Sequence, residues 1–426
     1  MKLKIKDNLY LIIPIITTTL WMLYCFWFFR EDIMRSGYYH SDLLSYHVIG
    51  YNAIFDPSKN YPGQWYMPIS GYFFFITFTI WPIPVAHWIS IGLNYIFAIL
   101  LLFEFNKILK LMEIEEKVHR FLFLIIPANG WIIFWQFQTN SHKFLTGFII
   151  LFILRREILW NKEEREKDLI YYIINYGLFL FILGWMPYLV YFLIIYIFYN
   201  IPIREILKKE HLKKYLILFL LFIIQNFYYI INPYAFYIFL TVGLGRPSHH
   251  GYFFLLYTRL ELPAETMLLI SNILVTILFI ICFLITFIRS LTIQQKFTYF
   301  SIFYILLGTF RVYYSTVFLW PLIMLSFVPF LKQENISIEF IKKNFYIMVG
   351  LLSFFIYNVS PTTGYGGTLA MILIGILISC IIIIHIKDRE EKYLYLFLIM
   401  FIIFWTIFTI LMFYWFYLDY VPEYLV

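Results

Sequence analysis

Charge is what this sequence lacks most. Only 13% of its residues are Asp, Glu, Lys or Arg, where a soluble domain carries about 25%. With 62% of residues hydrophobic and a mean hydropathy of +0.79, there is too little polar surface to clothe a water-soluble globule. Cysteine is almost missing. Cys25, Cys282 and Cys380 all fall inside apolar runs. That excludes a disulfide framework or a cysteine metal motif and leaves them as small buried hydrophobes. No stretch is polar enough for a soluble domain. The net charge of +7 is spread over short loops and forms no patch for nucleic acid. The first apolar run lacks a small-residue cleavage site and ends in Phe28-Phe29-Arg30, so it reads as an uncleaved anchor.

Apolar runs are what the sequence has instead. Residues 9–29, 267–288 and 368–386 are each long enough, at about 1.5 Å per residue, to cross about 30 Å of hydrocarbon. Such runs recur over residues 1–426, so the chain reads as a single all-α, polytopic transmembrane domain. Further spans are expected at 85–103, 121–135, 143–155, 169–183, 186–200, 215–238, 297–310, 312–331, 345–358 and 393–417, for about 13 in all. Of the 32 Lys and Arg, Arg30, Arg35, Lys59, Lys143, Arg246, Arg259 and Arg311 lie on one side. The others lie within 1–7, 104–120, 155–168, 201–214, 289–297, 332–344 and 387–392. This asymmetry places the N-terminus in the cytoplasm and the seven outside.

Residues 30–84 form the first extracytoplasmic loop. Parity allows only one of the stretches 67–81 and 85–103 to cross. The former is flanked by Pro68, Pro82 and Pro84 and holds Ser70 and Gly71. It reads as a membrane-embedded or interfacial helix that does not cross. Within this loop Asp42 and Tyr46 are spaced i, i+4, so on a helix they share a face. Ala53, Tyr61 and then Trp65-Tyr66-Met67-Pro68 follow. A carboxylate near the bilayer surface among aromatics suits a general base for a hydroxyl. Taken alone, the same Asp42 also reads as a solvated loop carboxylate or a helix cap. Gln136, Gln138, Asn140 and His142 make a polar cluster in a very short outer loop, fit to hydrogen-bond sugar hydroxyls or simply loop surface. Trp65 and Tyr66 are candidate sugar-stacking platforms.

The pattern Asp42, Tyr46, Ala53, Tyr61 and Trp65-Tyr66-x-Pro68 resembles the GT-C superfamily of membrane glycosyltransferases. It looks most like the mannosyltransferases that draw on polyprenyl- or dolichyl-phosphate-mannose. The resemblance rests on this loop and on topology. It implies a long first outer loop carrying membrane-parallel helices, with Asp42 as the catalytic base. The reaction implied is an inverting transfer of a hexose, mannose by the resemblance, to a lipid-linked or glycan acceptor on the extracytoplasmic face. Relatives with two adjacent acids there use a divalent metal. Here Ser41 precedes Asp42, and the nearest upstream acids are Glu31 and Asp32, so no metal or other cofactor is expected. The departing lipid phosphate wants cations. Gly245-Arg246-Pro-Ser-His249-His250-Gly-Tyr loosely resembles the basic, His-containing outer segment of the GPI-type enzymes. Arg246 is the best phosphate ligand because its planar fork matches phosphate, and His249 or His250 can hydrogen-bond the same group. Arg311 stands at an outer boundary, as a further ligand or an arginine snorkelling to headgroups. A lipid-oligosaccharide flippase is the alternative. It asks for polar residues deep in several spans, and the spans are nearly free of charge. A non-enzymatic assembly subunit fits the same composition.

Overall fold

The computed structural model describes residues 5–28, 43–56, 67–114, 117–126, 128, 133, 137, 142–186, 189–238, 263–307, 319–328, 345–359, 376 and 379–380. Every regular element among them is helical, as an all-α chain requires. Among the described residues two helices are long and apolar enough to cross a membrane, α1 (Ile5–Phe28), over Tyr10–Trp27, and, later in the chain, Ile83–Leu111. Between them lie α2 (Leu43–Phe55) and α3 (Pro68–Phe74), which a π-helical turn, Phe75–Thr79, continues. Pro68 opens α3 at a first-turn position, where a missing N–H costs nothing. α3 with its π turn spans 68–79, about 18 Å, too short to cross about 30 Å of hydrocarbon. The stretch 67–81, expected as a helix that does not cross, holds this short helix.

Ile83–Leu111 is α4. It is followed by α5 (Lys117–Ile125), α6 (Lys143–Lys162), α7 (Leu169–Leu183), α8 (Val190–Phe198), α9 (Lys209–Gln225), α10 (Tyr228–Ile231), α11 (Pro233–Ile238), α12 (Ala264–Phe287), α13 (Ile293–Leu307), α14 (Trp320–Met324) and α15 (Phe345–Val359). The expected span 169–183 coincides with α7. The expected span 215–238 does not hold as one helix. It breaks at Asn226 and Asn232, whose side chains bond the backbone at Phe222 and Ala235, and Pro233 lacks the N–H to continue. α4 and α6 also run further than expected, to Leu111 and Lys162, through residues read as loop.

Side-chain pairs give the helix directions. Thr19 meets the Tyr95 hydroxyl at 2.9 Å and Phe26 meets Trp88 at 4.7 Å, so α1 and α4 are antiparallel. Phe97 meets Phe148 and Glu104 pairs with Arg155, so α4 and α6 are parallel. Trp185 bonds Thr146 and Lys167 pairs with Glu157, so the chain following α6 returns through α7. Lys214 over Tyr172 and Gln225 on the Gly177 carbonyl set α9 parallel to α7. One end of the bundle thus gathers Glu104, Lys107, Arg155, Glu157, Lys162, Lys167 and Lys214 and is called the charged end here. The opposite end holds the starts of α4 and α6, with His87 and His142, and the finish of α7 at Gly184.

Helix closure at the charged end uses left-handed residues that are not glycine. Glu113 (φ 64°) follows α4, Glu164 (φ 50°) follows α6 and Asn200 (φ 60°) follows α8. The Ile114 N–H donates to the Leu109 carbonyl and the Arg165 N–H to that of Trp160, which satisfies carbonyls that the helix ends would strand.

Candidate functional site

Of the residues singled out in the sequence, Tyr46, Ala53 and His142 lie within the described structure. Asp42, Tyr61, Trp65, Tyr66, Arg246, His249, His250 and Arg311 lie outside the described residues, as do Gln136, Gln138 and Asn140. The structure nonetheless defines the two anchors that flank the loop motif. Asp42 stands one position before α2, and Tyr66 one position before Met67.

The first anchor is α2. Tyr46, Ile49, Gly50 and Ala53 are buried along one face, with Val48, Tyr51, Ile54 and Phe55 exposed on the other. That is the i, i+3, i+4, i+7 spacing of one helix stripe. Gly50 lets α2 touch backbone. A Cβ there would stand 2.6 Å from the Phe75 nitrogen and 2.8 Å from the Phe74 carbonyl carbon. The π turn begins at this crossing. Its Thr79 hydroxyl donates to the His47 carbonyl at 2.9 Å, which ties α2 to the turn.

The second anchor is the start of α3. The Met67 N–H donates to the Gly184 carbonyl at 2.6 Å, and the Ser70 hydroxyl reaches the same carbonyl at 3.1 Å and that of Met67 at 2.6 Å. The Ile69 N–H donates to the Asn226 side chain at 3.4 Å. Gly184 is needed for this approach, since a Cβ would lie 2.7 Å from the Ile69 side chain. Rings join the two anchors. Tyr46 stacks on Phe74 at 4.3 Å, and Phe74 lies 6.2 Å from Trp185, the neighbour of Gly184.

His142 sits inside this ring cluster. Its imidazole stacks on Phe78 at 5.0 Å and lies 5.5 Å from the Tyr46 ring. Only 2% of His142 is exposed, and neither ring nitrogen has a hydrogen-bond partner among the described residues. Burial, and secondly the charge of Lys143, push its pKa down to about 3, so it is a neutral imidazole with one donor and one acceptor. The sequence placed His142 in a polar outer loop with Gln136, Gln138 and Asn140, whereas the structure packs it against Tyr46. The contact is between residues far apart in the chain, so no local pattern announces it.

The sequence also missed a buried polar network at the charged end. The Glu157 carboxylate, 2% exposed, accepts from Lys167, the Tyr171 hydroxyl and, at 3.3 Å, Asn161. Asn175 donates to the Tyr196 hydroxyl at 2.6 Å. Glu104, 4% exposed, is held by Arg155 and by Lys107 at 2.6 Å. These carboxylates already have their cations, which marks them as structural. Glu205, Glu210 and His211 bring ligand atoms within 4.8 Å of one another. Lys208 already pairs with Glu205 at 3.0 Å, and the cluster carries no metal assignment. No protein-family model, no curated protein and no solved structure matches the chain.

Proposed function

We propose that this chain is a multi-pass membrane glycosyltransferase of the GT-C type. It moves a hexose, mannose by the resemblance, from a polyprenyl- or dolichyl-phosphate donor to a lipid-linked or glycan acceptor on the extracytoplasmic face. The observation that carries the reading is the coincidence of motif and architecture. Of the motif, Tyr46 and Ala53 lie in α2 and Pro68 opens α3, two short, internally packed helices. They lie between two helices long enough to cross a membrane. The directions of α1, α4, α6, α7 and α9 agree with the order of crossings expected for the first part of the chain, and the Lys and Arg asymmetry is what sets the N-terminus inside. Leu20, Trp27, Leu216, Phe219, Ile224 and Leu269 are more than half exposed, an apolar surface suited to lipid.

In this mechanism Asp42 takes the proton of an acceptor hydroxyl. The acceptor oxygen attacks the anomeric carbon, the bond from that carbon to the phosphate oxygen breaks, and lipid phosphate leaves with its electron pair. The configuration inverts. Arg246, helped by His249 or His250 and by Arg311, holds the phosphate, and Tyr46, Tyr61, Trp65 and Tyr66 form the aromatic surround. The test uses purified protein, a polyprenyl-phosphate-hexose donor and a lipid extract as acceptor source. The parent transfers hexose. Arg246→Lys loses the bidentate fork and uses donor about 10- to 100-fold less well, the scale of one charge-assisted contact. No transfer by the parent with any hexose donor overturns the reading.

One observation favours the flippase alternative. His87, Ser90 and Asn94 are buried at i, i+3 and i+7 on α4, and polar groups inside a spanning helix suit a transport path. Movement of labelled lipid-linked sugar across vesicles, without transfer, is its signature.

A further inference from the structure

The pairing of α4 with α6 fixes which of their residues share a level. The two helices are parallel, and α4 packs more extensively against α6 than against any other described element. Phe97 meets Phe148 and Glu104 meets Arg155, each pair 51 positions apart. The same offset sets His142 opposite position 91, beside Ser90, with His87 about one turn, roughly 6 Å, further along. His87, Ser90 and His142 are 6%, 0% and 2% exposed. Both nitrogens of each histidine and the serine hydroxyl have no hydrogen-bond partner among the described residues. The Ser90 hydroxyl does not fold back onto its own helix, as Thr17 and Thr19 do on the Ile13 and Ile15 carbonyls.

Buried polar groups in proteins are nearly always satisfied, so three unsatisfied side chains within about one helical turn ask for a partner. Its chemistry can be read from the set. Imidazole and hydroxyl groups each give and accept a hydrogen bond. No Asp or Glu lies in residues 83–103 of α4 or 143–156 of α6, and the charge nearest the layer in sequence is Lys143. Neutral donor–acceptor groups suit a pyranose, which offers hydroxyls at its rim that both give and accept. They do not suit a phosphate.

We infer that His142, Ser90 and His87 form a sugar subsite, reached from the Tyr46 side of α2, that holds the hydroxyls of a hexose. This deepens the glycosyltransferase reading and rests on it for the choice of probe. The hexose belongs either to the donor or to a glycan acceptor.

The test is calorimetric binding to the purified full chain. The probes are a short-chain polyprenyl phosphate, the same lipid carrying mannose, and methyl mannoside as acceptor mimic. The parent binds mannosylated lipid, or the free glycoside, more tightly than the bare phosphate predicts. His142→Phe keeps the ring stack and removes both nitrogens. It loses about three- to tenfold of the sugar-dependent affinity, the scale of one or two neutral hydrogen bonds. Binding of bare polyprenyl phosphate and the unfolding temperature are unchanged or raised. Loss with the mannosylated lipid assigns the subsite to the donor, and loss with the glycoside alone assigns it to the acceptor. Should His142→Phe fold poorly, Ser90→Ala carries the same expectation. Parent-like sugar affinity in a folded variant, or no sugar-dependent affinity in the parent, overturns the subsite. Sugar binding that depends on His142 in a chain that never transfers hexose would sink the transferase reading and leave the subsite standing.

Discussion

Glu104 and Glu157 at the charged end are as deeply buried as His87 and His142 at the other end. Both carboxylates are matched within the protein, Glu104 by Lys107 and Arg155, Glu157 by Lys167, Tyr171 and Asn161. Unmatched atoms occur there too, among them the Tyr215 hydroxyl, the Asn175 amide oxygen and the Arg156 Nε, but no carboxylate oxygen of Glu104 or Glu157. At the histidine end both nitrogens of His87 and of His142 and the Ser90 hydroxyl go unmatched. A buried charge left alone is far more costly than a buried neutral imidazole, so only the neutral end can keep its hydrogen-bonding capacity open. The comparison separates two jobs. The charged end fastens α4, α6 and α7 together, and the histidine end, next to α2 and α3, is free to take a ligand.

Breaking the charged end should have the larger effect on stability. Glu157→Ala strands Lys167 and the Tyr171 hydroxyl. Removing one partner of a buried ion pair costs about 3–5 kcal/mol, and because Lys167 keeps a quarter of its side-chain exposure, the lower end of that range is expected. Thermal unfolding in detergent measures it. A Glu157→Ala variant as stable as the parent would deny the fastening role. Gly50→Ala comes next. Its Cβ meets backbone atoms of the π turn at 2.6 and 2.8 Å, which cannot swing aside as a side chain does. Overpacking of this kind costs about 1–3 kcal/mol, and it should displace α2, lowering transfer more than unfolding temperature.

The smallest effect sharpens the comparison through pH. Lys296, 1% exposed, donates to the Thr286 carbonyl at 2.6 Å and lies over the Tyr199 ring. Burial lowers its pKa to about 8, below the usual value of about 10.4. Between those values the folded state has released a proton that the unfolded state still holds, so stability rises with pH across that window. Unfolding measured from pH 7 to 10 should show the rise in the parent and lose it in Lys296→Met. A parallel rise in both would assign it to other groups.

The sequence made α7 legible to the residue because its apolar run stands between Asp168, which caps it by accepting from the Tyr171 N–H, and Gly184. It could not show that α4 runs through Glu104, because the cation that allows that burial, Arg155, is 51 positions away. It overestimated 215–238 because hydropathy does not register the backbone bonds that Asn226 and Asn232 offer. In the first loop, the shared face of Asp42 and Tyr46 was read only on condition of a helix; the helix that begins at Leu43 holds Tyr46, and Asp42 lies outside the described residues. The burial of His142 against Tyr46 was illegible, since it depends on how α3 crosses α2 at Gly50.

The most direct measurement is hexose transfer by Asp42→Asn. The substitution keeps shape and polarity and removes the proposed base, so transfer should fall about 10²- to 10⁴-fold. Unfolding temperature and donor binding should stay at parent values, because the phosphate is assigned to Arg246 and its histidines. Transfer at the parent rate by Asp42→Asn would contradict the account and leave the first loop without its central residue.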